Sequence, residues 1–338
     1  MVHSIAIDAM GGDFGPEVTV PAALSVLEGA SQLKFVLTGD QDEIHRHLKK
    51  ARASSASRIE VCHTSEVVEM DEPPVHALRK KKNSSLRVAI DLVKDGTANA
   101  CVSAGNTGAL MAISHFVLRT FPGIHRPAII SSIPTVNGHV NLLDLGANVD
   151  CSSRDLLQFG IMGSTFVKCT EQIDNPRVAL LNIGVENIKG NQIIKQAAEL
   201  FQSSDLNYQG FVEGDAIFEG NVDVIVCDGF AGNVALKASE GVSKFIQHAL
   251  RTEFQKNLLR RISGLVATPV MKGVKARIDP RVYNGAALIG LQGTVIKSHG
   301  GADQLAFSYA LRKALIEISN DVPSQINQQI SAAAEVSP

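Results

Sequence analysis

The chain has no tryptophan and three tyrosines, and aromatic residues make up 5% of it. Few rings are left to stack on bases, which argues against single-stranded nucleic acid as a partner. An excess of one charge is missing as well. The 32 basic and 34 acidic residues leave a net charge of −2, so no global basic field exists to attract nucleic acid. Long hydrophobic runs are absent, and the longest fall well short of the ~18 residues that a spanning helix needs. The opening MVHSIAIDAMGGD has neither a charged n-region nor a cleavage site, so no signal peptide is expected. The five cysteines are odd in number and form no CxxC pair, which argues against a structural zinc site or a disulfide framework. No linker, low-complexity block or fixed-period repeat divides the chain. Familiar nucleotide and hydrolase motifs are missing too: no GxGxxG after a strand, no GxxxxGK(S/T), no GxSxG and no HExxH.

What the chain does have is glycine, 28 residues of it, at the ends of short β-branched runs. Strands are predicted at Ser4–Asp8, Leu33–Thr38, Arg58–Cys62, Ala100–Ser103, Ala128–Ile133, Val140–Asp144, Val178–Asn182 and Val222–Cys227. Helices are predicted at about Glu17–Ala30, Gln41–Ala51, from Thr107, at Arg154–Lys168, Asn191–Gln202 and Asn233–Leu250. A last helix, about Ala302–Ser319, closes the fold. This alternation predicts an α/β class with a mostly parallel sheet covered on both faces. Residues 1–338 read as a single domain. Ala104-Gly105-Asn106 and Ala231-Gly232-Asn233 echo one another, each after a strand and at a helix start.

In a parallel sheet, ligands bind beyond the carboxyl ends of the strands. Asp8, Gly11, Gly12 and Asp13 follow the first predicted strand. Gly105, Asn106, Thr107 and Gly108 follow a middle one. Asp144 and Asn148 follow a third, and Asp228-Gly229-Phe230-Ala231-Gly232-Asn233 a fourth. Glycine admits close backbone approach, and free N–H groups at a helix start attract an anion. Convergence of these ends would make a phosphate cradle; taken singly, Ser103–Met111 reads equally as a plain βα turn with Asn106 as N-cap. Lys189, in Gly184–Gly190, stands after a strand as a solvated charge or an anion clamp. His299 follows another expected strand, as a site residue or a structural one.

Two basic regions remain. Arg79, Lys80, Lys81 and Lys82 form a solvated loop or a docking patch for an acidic partner. Phe245–Arg281 holds eight basic and two acidic residues, a local net charge of +6. Ile246, Leu250, Phe254, Leu258, Ile262 and Leu265 recur there at helical spacing. We expect residues 245–281 to form an amphipathic helical insertion, a C-terminal helical hairpin. Packing is expected over Ile246–Phe254. Membrane contact is expected from Leu258, Ile262, Leu265, Val266, Val270 and Met271, set among Arg260, Arg261, Lys272 and Lys275.

Several segments resemble one family in order: AIDAMGGDFGP, RKKKNSS, SAGNTGALM, RPAI, LLDLGANVD, LLNIGVENIKGN, CDGFAGNVALK and VIKSHGGAD. Together they look like the PlsX family of bacterial phosphate acyltransferases, over nearly the whole chain. The resemblance implies a three-layer α/β/α sandwich similar to isopropylmalate dehydrogenase and phosphotransacetylase. It implies transfer of a long acyl chain from acyl carrier protein to inorganic phosphate. The acyl phosphate then passes to a membrane glycerol-3-phosphate acyltransferase for phospholipid synthesis. It further implies a cytoplasmic homodimer, peripherally associated with the inner face of the cell membrane, and no cofactor or metal. Lys189 and Asn233 match the family's catalytic lysine and asparagine, while Asn187 stands where an acidic residue is more usual. The acidic carrier protein would give Arg79–Lys82 a partner. Two alternatives stay open: an enzyme of the same fold acting on acyl-coenzyme A or a nicotinamide substrate, and a non-catalytic membrane-surface scaffold.

Overall fold

Runs of valine, isoleucine and alanine become strands here because both faces of a central strand are buried, which removes the need for polar alternation. The computed structural model describes residues 2–51 and 54–336. Its strands are β1 (His3–Asp8), β2 (Leu33–Gly39), β3 (Ile59–His63), β4 (Ala100–Ser103), β5 (Ala128–Thr135) and β6 (Gly138–Leu143). They continue with β7 (Arg177–Leu181), β8 (Asn207–Val212), β9 (Val224–Val226), β10 (Ala286–Ile289) and β11 (Thr294–Lys297). All join one 11-stranded sheet in the order β3-β2-β1-β4-β11-β10-β5-β6-β9-β7-β8.

The helices are α1 (Pro16–Glu28), α2 (Gln41–Ala51), α3 (Pro74–Lys80), α4 (Ser85–Lys94), α5 (Thr107–Leu118) and α6 (Ser153–Glu171). After them come α7 (Gln192–Gln202), α8 (Gly229–Gln255), α9 (Leu258–Arg277), α10 (Gln304–Ser319) and α11 (Val322–Val336). Two buried clusters line the two faces of the sheet. Ile5, Ile7, Val102, Leu143 and Val226 pack with α1, α6, α7, α10 and α11 on one face. Ala6, Cys101, Leu142, Ile225 and Val295 pack with α3, α4, α5 and the start of α8 on the other. The result is the expected three-layer α/β/α sandwich.

The direction of the strands is not uniform. β10 runs antiparallel to both β11 and β5, and β5 runs antiparallel to β6. β6, β9, β7 and β8 are mutually parallel. So β1, β2, β3, β4 and β11 point one way, to what we call the forward edge. β6, β7, β8 and β9 point the other way, to the reverse edge. The carboxyl ends of the two halves thus point in opposite directions, while the register sets Leu143, Val226 and Leu180 level with Ile296, one residue before Lys297. The hairpin between β5 and β6 turns the second half of the sheet around. Asp8 and Asp144 sit at the ends of strands five steps apart, roughly 24 Å at the usual strand spacing.

The expected helical hairpin is present: α8 ends at Gln255, Asn257 caps α9 by accepting from Arg260 N, and the two helices pack together. Two smaller differences follow from local chemistry. The chain does not close at Ser319; α11 continues it and packs on α6. Within the expected packing stretch, Phe254 is half-buried against Gly264, while Ile246 and Leu250 are exposed. α9 displays Leu258, Ile262, Leu265, Val266 and Val270 to solvent, and Met271 is half-buried. No helix among the described residues is long and apolar enough to cross a membrane.

Candidate active site

At the forward edge the turns after β1, β4 and β11 pack on one another. Asp8 is buried and accepts a 2.6 Å hydrogen bond from Ser103 Oγ, which itself accepts from Gly105 N at 2.9 Å. Burial pushes the Asp8 carboxyl above the usual carboxylate range, against the opposing effect of the Ser103 hydroxyl. A side chain at Gly11 would place its Cβ 2.4 Å from Asp8 Oδ2 and 2.8 Å from Gly105 N, so only glycine lets these turns meet. Asp13 N donates to Gly300 O, which ties the third turn in.

Asn106 is the N-cap of α5 and accepts from Ala109 N at 3.0 Å. Its Nδ2 donates to Glu69 O, Met70 O and Glu72 O, so the amide is spent on holding the 69–72 turn. The cap reading of Asn106 accounts for these contacts. Thr107 is exposed at the first turn of α5, and Gly108 lies against Pro74. His299 is exposed; its Nδ1 accepts from Gly301 N, and burial with nearby lysines holds its pKa below the ordinary value.

The reverse edge is built differently. Asp144 is fully buried and accepts from Ile129 N, Ala147 N, Asn148 N and Asn148 Nδ2. Asn148 Nδ2 also donates to Pro127 O. Asp144 thus clamps the 144–148 loop with its four acceptor directions taken, and both amide hydrogens of Asn148 are spent on Asp144 and Pro127. The loop after β7 is held by Asn182, whose Nδ2 donates to Gly184 O. Lys189 stands exposed on that loop.

α8 starts one strand over from that loop. Its N-cap is Asp228, which accepts from Ala231 N at 2.8 Å, so Asn233 is not a cap and the echo with Asn106 does not extend to geometry. A Cβ at Gly232 would fall 1.9 Å from Asp144 O, so glycine is required where α8 presses on the 144–148 loop. That close approach seats Asn233 beside Gly146, exposed, with no hydrogen bond to its amide among the described residues. Strand adjacency of β7 and β9 brings the Lys189 loop and the Asn233 turn together. One turn further, Lys237 lies close enough to depress the pKa of both Lys297 and His299. α8 therefore links the two edges.

No thiol suits covalent catalysis. Cys151, the one suspected from sequence, is buried, and its thiol is pushed up to about 12 by burial and by Asp144. Cys101 and Cys227 are buried, and burial raises their thiols well above the ordinary range. Among the described residues no cluster of His, Cys, Asp and Glu could hold a metal ion.

Of the basic cluster, Arg79, Lys80 and Lys82 are exposed around the end of α3. Lys81 is not available in the same way. It pairs with Glu72 at 3.2 Å and donates to Val67 O at 2.6 Å, bracing the segment before α3. Lys297 was missed as a site candidate. Its signal was present: an apolar strand ending in lysine, followed by Ser-His-Gly-Gly.

A family model described as fatty acid synthesis protein matches residues 3–325. A phosphate acyltransferase of Methylococcus capsulatus is 56% identical over 328 residues, covering 97% of each chain. One of Nitrosococcus oceani is 56% identical over 330 residues, covering 98% of this chain and 97% of the relative. Among solved structures, a phosphotransacetylase of Streptococcus pyogenes aligns over 94% of each chain with a TM-score of 0.63 and 19% identity, a likeness of fold.

Proposed function

The chain belongs to the fatty acid synthesis protein family, a family of phosphate acyltransferases, and we propose that it moves a long-chain acyl group from acyl carrier protein to inorganic phosphate. The observation that carries this reading is that Lys189 and Asn233 follow neighbouring strands, β7 and β9. Both are exposed, on adjacent loops, and the Asn233 amide is unspent.

The chemistry asks little else of a protein. A phosphate oxygen attacks the thioester carbonyl carbon, and a tetrahedral oxyanion forms. The C–S bond then breaks, and its electron pair leaves on sulfur. A thiol with a pKa near ~8.5 departs as a thiolate with little acid assistance. What remains is to hold the two substrates together and to stabilise the oxyanion. The Asn233 amide and the Lys189 ammonium are donors for that oxyanion. The turns at the forward edge, with Thr107 at the start of α5, hold phosphate. The inert thiols favour direct attack over an acyl-cysteine.

Arg79, Lys80 and Lys82 steer the acidic carrier protein. The acyl phosphate carries a long chain and must reach a membrane acyltransferase for phosphatidic acid synthesis. α9 offers Leu258, Ile262, Leu265, Val266 and Val270 among Arg260, Arg261 and Lys272, an arrangement suited to an anionic bilayer surface on the cytoplasmic side. The enzyme works as a homodimer in this reading. The deciding experiment follows thiol release from acyl-carrier protein and from acyl-coenzyme A, each with and without phosphate. Phosphate-dependent release from the carrier protein is expected. Release only from the coenzyme, or none, sinks the proposal. In a second assay, Leu265→Glu with Val266→Glu should abolish sedimentation with anionic vesicles while soluble turnover persists.

A further inference from the structure

A cation at the forward edge is left unused by the pair above. Lys297 ends β11 in register with Ser103, which is in register with Asp8. Two residues upstream of each, Val295, Cys101 and Ala6 pack in one cluster, so all three end residues face the side covered by α5 and α8. The Lys297 ammonium donates to Ala104 O at 3.3 Å and to Ser298 O. An ammonium has three N–H groups, so one is left. Among the described residues Lys297 forms no ion pair. Asp8 and Asp13 act on it only through space, and Lys237 faces it from α8. Lys237 is itself paired with Glu240 at 3.0 Å, and His299 lies in the same field. The side chain is half-buried against the turn after β4, whose Ala104 carbonyl it reaches.

We propose that Lys297 binds phosphate: its remaining N–H holds an oxygen of the inorganic phosphate nucleophile, and then of the acyl phosphate product. The inference rests on the phosphorolysis reading above and adds the residue that recognises the nucleophile. Two carbonyl oxygens cannot neutralise a desolvated ammonium, whereas a phosphate anion can. Lys237 lies one turn after Asn233, a rise of about 6 Å along α8. A phosphate on Lys297 is thus set near the donor that takes the thioester oxygen.

Burial lowers the Lys297 ammonium from its ordinary range to about 8. A bound anion favours the charged form, so above that pH binding must take up a proton. Phosphate is already largely dianionic there and adds no opposing change. Affinity should therefore hold up to about pH 8 and fall about tenfold per unit once the lysine is neutral.

The test is calorimetric titration of the full chain with inorganic phosphate at pH 7 and pH 9. Wild type, Lys297→Met and Lys297→Arg are compared, alongside steady-state KM for phosphate and for the acyl donor. Expected is a loss of about tenfold or more in phosphate affinity for Lys297→Met, with donor KM within about twofold. Wild type should weaken at pH 9, and Lys297→Arg should not, because a guanidinium stays charged. Phosphate affinity in Lys297→Met equal to wild type overturns the proposal. So does a pH loss in Lys297→Arg as steep as in wild type, which decides the matter even where Lys297→Met fails to fold. Failure of the parent reading looks different: no thioester releases thiol, yet calorimetry still finds phosphate on Lys297.

Discussion

Asn106 and Asn233 stand in matching Ala-Gly-Asn triplets, and their amides have opposite fates. Asn106 is buried, with both amide hydrogens on carbonyls of the 69–72 turn and its oxygen capping α5. Asn233 is exposed and unspent. What separates them is their distance from the helix start. Asn106 is the cap itself, whereas Asp228 caps α8 and carries Asn233 past the first turn. The same contrast holds for the lysines of the two sheet halves. Lys81 is tied to Glu72, and Lys189 is exposed on its loop. Spent groups build the loops; unspent ones are left for chemistry.

The sharpest way to break that contrast is Lys189→Ala or Asn233→Ala. Each should lower turnover by about 10²–10³ with an unchanged melting temperature. A fall in melting temperature that matched the loss of rate would place the residue with Asn106 instead. Gly232→Ala comes next, since its Cβ meets Asp144 O at 1.9 Å. It should destabilise by about 1–3 kcal/mol in a denaturant titration and displace Asn233 with it. Asn106→Ala should cost a similar 1–3 kcal/mol, from a lost cap and stranded carbonyls, while turnover per folded molecule stays near wild type. Selective loss of activity there would make Asn106 a ligand after all. For Lys80→Glu with Lys82→Glu we expect a several-fold rise in KM for acyl-carrier protein that vanishes in high salt. Lys81→Ala should act on stability instead. The smallest effect belongs to Cys151→Ala, which should leave phosphorolysis intact; an acyl-enzyme trapped by mass spectrometry and lost in this variant would overturn direct attack.

Much of this was legible in residue order. The strands β1 and β2 fall where β-branched runs end in Asp or Gly, and β4 and β7 fall on short apolar runs just before Ala-Gly-Asn and Asn-Ile-Gly, because such runs are buried on both faces. α3 escaped because it has seven residues and opens on Pro73-Pro74, which reads as a break. β10 has four residues between two glycines, Gly285 and Gly290, too short a run to show a period. The reversal of the sheet did carry a signal, the Asn137-Gly138 dipeptide between two strand-like runs, a strong hairpin mark. Which lysines stay free could not be read at all. That depends on partners distant in sequence, as Glu72 is for Lys81 and Ala104 for Lys297.

α8 runs unbroken from Gly229 to Gln255. From Asn233 to its far end is 22 residues, about 33 Å of rod. Anchored near Asn233 by the 144–148 loop, it behaves as a lever with its fulcrum at the sheet. A tilt of roughly 10° about that fulcrum carries the far end through about 6 Å while the Asn233 amide hardly shifts. In the proposed reading, the arm follows an uneven, fluctuating surface while the groups assigned to the reaction stay in register.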